Sequence, residues 1–231
     1  MGDISVIARR LSDRYVQYGW SGNGGYFKAV GARLLEWYDT PEMVEYLFSL
    51  GQLRHLWEPH SEEHMKSGVC TVPDGMPHWV SPSERWIFSK IAFIDYGYFY
   101  DSDHTWYYVH PGPFRIKLPL TLVAENLDDR SFEFSFLRQV ERLVLGEMFS
   151  GRYAQCLASS GLSPDELQKI QEALAQDEQP LYQLWDRYRS VFQCFDDWIL
   201  VRADGSGKNV GNIILQAHED SHRETIFWSG P

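Results

Sequence analysis

The sequence predicts an α+β protein, and three observations carry that expectation. Runs rich in β-branched and aromatic residues come in neighbouring pairs around polar turns, as antiparallel hairpins require. Apolar residues at helical spacing come in blocks between those pairs. Strands and helices do not alternate in the regular order that a parallel βαβ sheet needs. The expectation is an antiparallel sheet packed with about six helices. The sheet comprises an N-terminal hairpin, a central aromatic hairpin and a C-terminal meander.

The first element is a hairpin. Ile4 to Arg10 and Tyr15 to Trp20 are β-rich runs around Ser12-Asp13, and Val16, Tyr18 and Trp20 share one face by the two-residue period of a strand. Ser21-Gly-Asn-Gly-Gly25 breaks the second run, after which Phe27, Val30, Leu34 and Trp37 recur at helical spacing and predict a helix over 26–38. Thr40-Pro41-Glu42 supplies an N-cap, a first-turn proline and a first-turn acid, and Gly51 stands where a C-terminal cap belongs, so a second helix spans 41–50. A short strand over Gln52 to Trp57 follows, then an irregular stretch from Glu58 to Val80. Ser81-Pro-Ser-Glu84 has the pattern of a capping box and starts a short helix.

The run Phe93 to Tyr100, the turn Asp101-Ser-Asp-His104 and the run Thr105 to His110 form the aromatic hairpin. Phe114 to Leu118 adds a third strand, and Pro119 to Leu127 reads as a short helix. Phe136, Val140, Leu143, Val144 and Met148 trace a long helix from about 132. Ser163-Pro-Asp-Glu166 opens a further helix with a capping box, and Leu181 to Phe192 forms an amphipathic one. Trp198 to Arg202, Val210 to Gln216 and Glu224 to Trp228 make the terminal meander.

Composition narrows the function classes. A chain of 231 residues with 44% hydrophobic and 23% charged residues has ordinary globular usage, so one domain over 1–231, with room for two lobes, is expected. The apolar start Ile4 to Ala8 is too short for a signal-peptide core. No apolar run reaches bilayer length, so no membrane association and a cytoplasmic location are expected. Cys70, Cys156 and Cys194 are odd in number and lack CxxC spacing, which fits reduced thiols. A net charge of -11 opposes direct nucleic-acid binding and permits a basic protein partner.

Four features are candidates for chemistry. The first is His60-Ser-Glu-Glu-His64, an HxxEH pattern. On a helix begun at Pro59, His60 and His64 would share a face as zinc ligands, with Glu63 as base and the distant Glu141 as third ligand. The flanks are polar, so a solvated loop competes with this metallohydrolase reading. The second is the glycine-rich turn Gly22 to Gly25, whose backbone N–H groups could face an anion, as a small-molecule sensor needs. It matches neither GxGxxG nor the P-loop, and a tight structural turn competes.

The third is the aromatic hairpin, where Tyr96, Tyr98, Tyr100, Trp106 and Tyr108 form either core or an exposed recognition surface. The fourth is the acid-rich stretch from Glu125 to Glu178, eleven acids against five bases, with Asp128, Asp129 and Glu133 as candidate contacts to a basic partner. Ordinary solvated helix faces are the alternative. No GxSxG elbow or catalytic cysteine signature occurs, and no cofactor is expected.

The stretches Val16 to Phe27, Phe93 to Asp101 and Trp106 to Pro119 resemble those of uncharacterised accessory proteins carried by mobile elements of Gram-positive gut bacteria. The resemblance brings no catalytic residue. It implies a setting in which small acidic proteins sometimes block host defence or restriction enzymes. Taken together, the expectation is a non-enzymatic acidic inhibitor or regulator of a basic partner, with a metal-dependent hydrolase and a small-molecule sensor as alternatives.

Overall fold

Paired β-rich runs and cap signals become sheet and helix in the computed structural model, which describes residues 4–12, 15–21, 24–51, 55–60, 79–81, 96–109, 116–125, 140, 143, 162–175, 198–203, 213–218 and 223–227. The fold class is α+β. The chain divides into two compact units, one of residues 1–111 with 115–125 and one of 112–114 with 126–231.

In the first unit, β1 (Ser5–Ser12) and β2 (Tyr15–Ser21) pair antiparallel, with Ile7 opposite Gly19 and a register shift between Arg10 and Ser12. β3 (Trp79–Ser81) pairs antiparallel with β2 at the edge, where the stretch that reads as irregular from sequence ends and the expected capping box begins. β4 (Tyr96–Tyr100) and β5 (Trp106–Val109) form the aromatic hairpin, and β6 (Ile116–Pro119) continues it antiparallel. Strands in this unit run in the order β3-β2-β1-β4-β5-β6.

The sheet is mixed, which corrects the antiparallel expectation: β4 lies parallel to β1, with Ser5 beside Tyr96 and Arg9 beside Tyr100. Parallel neighbours need a long crossover, and the chain between β2 and β4 supplies one that contains helices. Only that connection, and not either strand's own pattern, sets the direction.

A π-helical stretch, Phe27–Gly31, runs into α1 (Ala32–Trp37). It buries Phe27, Val30 and Leu34, the spacing read from the sequence. The next helix, α2 (Pro41–Ser49), begins as its cap predicts: the Thr40 hydroxyl accepts from the Met43 N–H at 3.3 Å, and Pro41 and Glu42 occupy the first turn. Val44, Leu47 and Phe48 face inward. Gly51 at φ +82° takes the left-handed position that ends such helices. Residues 55–57 are not strand, contrary to expectation; Leu56 is buried and its carbonyl accepts from the Arg33 guanidinium at 2.6 Å. A short helix, α3 (Leu120–Glu125), packs on β5, β6 and α1.

Residue alternation divides the central strands into two faces. Ser5, Ile7, Arg9, Tyr96, Tyr98, Tyr100, Trp106 and Tyr108 share one, and Val6, Ala8, Arg10, Phe99, Tyr107, Val109 and Lys117 the other. α1 and α2 pack on the first face. A Cβ on Gly31 would come within 3.2 Å of Tyr98, and Arg9 places its guanidinium over Phe48 of α2 at 4.9 Å while pairing with Glu45. The second face is buried as well.

In the second unit, α4 (Pro164–Ala175) starts with the capping box read from sequence: the Ser163 hydroxyl accepts from the Glu166 N–H, and the Ser163 N–H donates to the Glu166 carboxylate. β7 (Trp198–Ala203), β8 (Ile213–His218) and β9 (Arg223–Phe227) form the expected antiparallel meander. Val140 and Leu143 are helical. The helix expected to begin at the 81–84 capping box lies, beyond Ser81 of β3, outside the described residues, as do that at 181–192 and most of that from about 132. Among the described residues no helix is long and apolar enough to cross a membrane.

Candidate functional site

The aromatic hairpin is core, and this overturns its reading as a recognition surface. Tyr98 is fully buried, and Tyr96, Tyr100, Trp106 and Tyr108 are at most 6% exposed. Alternation suggests a one-sided strand only when the other side meets water. Here β4 and β5 lie between β1 and β6 in a sheet buried on both faces, so all nine of their residues are inside. Each such ring contributes on the order of 1.5–3 kcal/mol by leaving water.

Their polar ends dock the helices. Tyr98 Oη donates to the Gly25 carbonyl at 2.9 Å, Trp106 Nε1 donates to the Tyr38 carbonyl at 2.7 Å, and Tyr38 Oη donates to the Trp57 carbonyl at 2.9 Å. Burial raises the Tyr38 phenol well above its ordinary value, and Tyr46 adds to this. Arg33 lies over both Trp37 and Trp57, at 5.7 and 5.9 Å, which holds residues 56–57 against α1.

Fixing the Tyr38 carbonyl to Trp106 has a consequence for charge. It sets Asp39 and the start of α2 beside the end of the hairpin, where the turn carries Asp103. Asp39, Glu42 and Asp103 are exposed, and all three act on the Tyr100 phenol. Burial first, then the charges of Glu42, Asp103 and Asp39, raise its pKa. Asp103 also accepts from Tyr107 Oη at 2.5 Å and from the Thr105 N–H at 3.2 Å, so its carboxylate is held in place. Acids from two elements distant in sequence thus act on one phenol.

On the opposite face, three charges meet, Lys117 buried and Arg10 and Asp101 partly buried. Asp101 accepts from Arg10 Nε and from Lys117 Nζ; Lys117 lies over Tyr107 at 4.2 Å and Phe99 at 5.1 Å, and Arg10 over Phe99 at 5.2 Å. Burial alone would raise the Asp101 pKa, but the charge of Lys117 and the hydrogen bonds from Arg10 and Lys117 outweigh it and hold the carboxyl at about 2. Lys117 is pushed down by burial and by Arg10, and Asp101 opposes this. The two directions pull against each other within one ion pair. That of Asp101 is the firmer, because two cations flank a single carboxylate.

Sequence reading missed this cluster. Lys117 stands between Ile116 and Leu118 and reads as the outward residue of an alternating strand, yet it is only 8% exposed. The adjacent cations Arg9 and Arg10 were the available signal, since neighbours in a strand face opposite sides and each then needs its own acid.

Of the metal-site candidates, His60 is exposed at φ +61° and stacks on Tyr46 with ring centroids 4.6 Å apart. That backbone conformation is not right-handed helix, so the helix begun at Pro59 is absent at His60. Glu63, His64 and Glu141 lie outside the described residues, as do Asp128, Asp129 and Glu133. Among the described residues no three His, Cys, Asp or Glu side chains are grouped to hold a metal ion. In the glycine-rich turn, Gly24 takes φ +66° and Gly25 is buried beneath Tyr98, while Gly22 and Asn23 lie outside the described residues. No family model, curated protein or solved structure matches the chain.

Proposed function

We propose that this chain is a non-enzymatic acidic binding protein, an inhibitor or regulator of a basic protein partner such as a nucleic-acid-processing defence enzyme. The observation that supports the reading is the net charge of -11, with Asp39, Glu42 and Asp103 among the exposed acids of the described residues. Exposed like charges held by a rigid core steer an oppositely charged surface and set its orientation. The aromatic component expected from sequence drops out, because those rings are core. Acid contacts carry the docking, and the acid-rich stretch with Asp128, Asp129 and Glu133 extends the same proposal.

Affinity capture from cells that carry the protein, with mass spectrometry of what is retained, tests this. A basic protein should be held at low salt and released as ionic strength rises. The double variant Asp39→Asn/Glu42→Gln should retain it more weakly, on the order of tenfold or more. Retention unchanged by salt or by the variant overturns the proposal, as does capture of acidic proteins only.

A further inference from the structure

We draw no further inference here: the strongest candidate, the partly buried Arg10–Asp101–Lys117 cluster on the sheet face opposite α1 and α2, has its charges met by one another and by the Phe99 and Tyr107 rings, and nothing among the described residues points to a ligand for it.

Discussion

Replacing Asp101 by Asn removes one negative charge from between the buried Lys117 and the partly buried Arg10 while keeping the side chain's shape. The Arg10 and Lys117 side chains are 18% and 10% exposed, so water recovers little of their lost partner. Breaking a buried pair from one side typically costs 3–5 kcal/mol. The Asn carbonyl oxygen still accepts a hydrogen bond, so the lower end, about 3 kcal/mol, is expected. That is a large share of a total stability of roughly 5–15 kcal/mol.

The pH dependence gives an independent check. Asp101 lies at about 2 in the folded protein against an ordinary 3.8, a gap worth roughly 2 kcal/mol. Because the folded value is the lower one, this stability is present above about pH 4 and is lost as pH falls towards 2. Lys117 stays protonated in folded and unfolded chains across that acid range, so its own shift leaves the slope there unchanged. The difference between parent and Asp101→Asn should therefore narrow by roughly 2 kcal/mol between pH 5 and 2.

Urea unfolding gives the total, and hydrogen exchange of the Tyr96–Val109 amides reports on the unit that holds the cluster. Adding Lys117→Met to Asp101→Asn should recover part of the loss by removing an uncompensated ammonium. A variant within about 0.5 kcal/mol of the parent at pH 7, or a gap that stays constant into acid, refutes the electrostatic account.

Gly31→Ala sets helix propensity against packing: alanine is favoured by about 1 kcal/mol in a helix, but its Cβ would sit 2.8–2.9 Å from the Phe27 ring and 3.2 Å from Tyr98. Net destabilisation of about 1–3 kcal/mol is expected by thermal or urea unfolding, and a stabilised variant would show that the helix and sheet have room to separate. Tyr98→Phe leaves the buried Gly25 carbonyl without its 2.9 Å donor and should cost about 1–2 kcal/mol by the same measurements; a neutral result means another donor replaces it. Ser163→Ala removes the capping box of α4 and should lower exchange protection over Pro164–Ala175 by about 1 kcal/mol, with unchanged protection counting against the cap.

Local signals were legible wherever a few neighbouring residues decide the outcome. The Thr40-Pro41-Glu42 start, the Gly51 stop, the Ser163–Glu166 capping box and the pairing of β4 with β5 all rest on steric and hydrogen-bonding preferences that act within about five residues. The α+β class follows, because it needs only the kinds of element and their order. Strand direction across β1 and β4 did not, since Ser5 and Tyr96, like the other partners, are 91 positions apart and neither strand encodes the other's heading.

The same limit governs the candidate site. Alternation told which aromatics share a face, but only the sheet's neighbours decide whether water reaches that face, and here it does not. Burial of Lys117 between β5 and its neighbours is likewise a property of the sheet and not of its own strand's pattern. Net charge was fixed by composition alone. Tertiary structure decided that one indole N–H on β5 takes the carbonyl of Tyr38 and so fixes the residue before Asp39 against the hairpin, a contact between residues 68 apart that no local preference encodes.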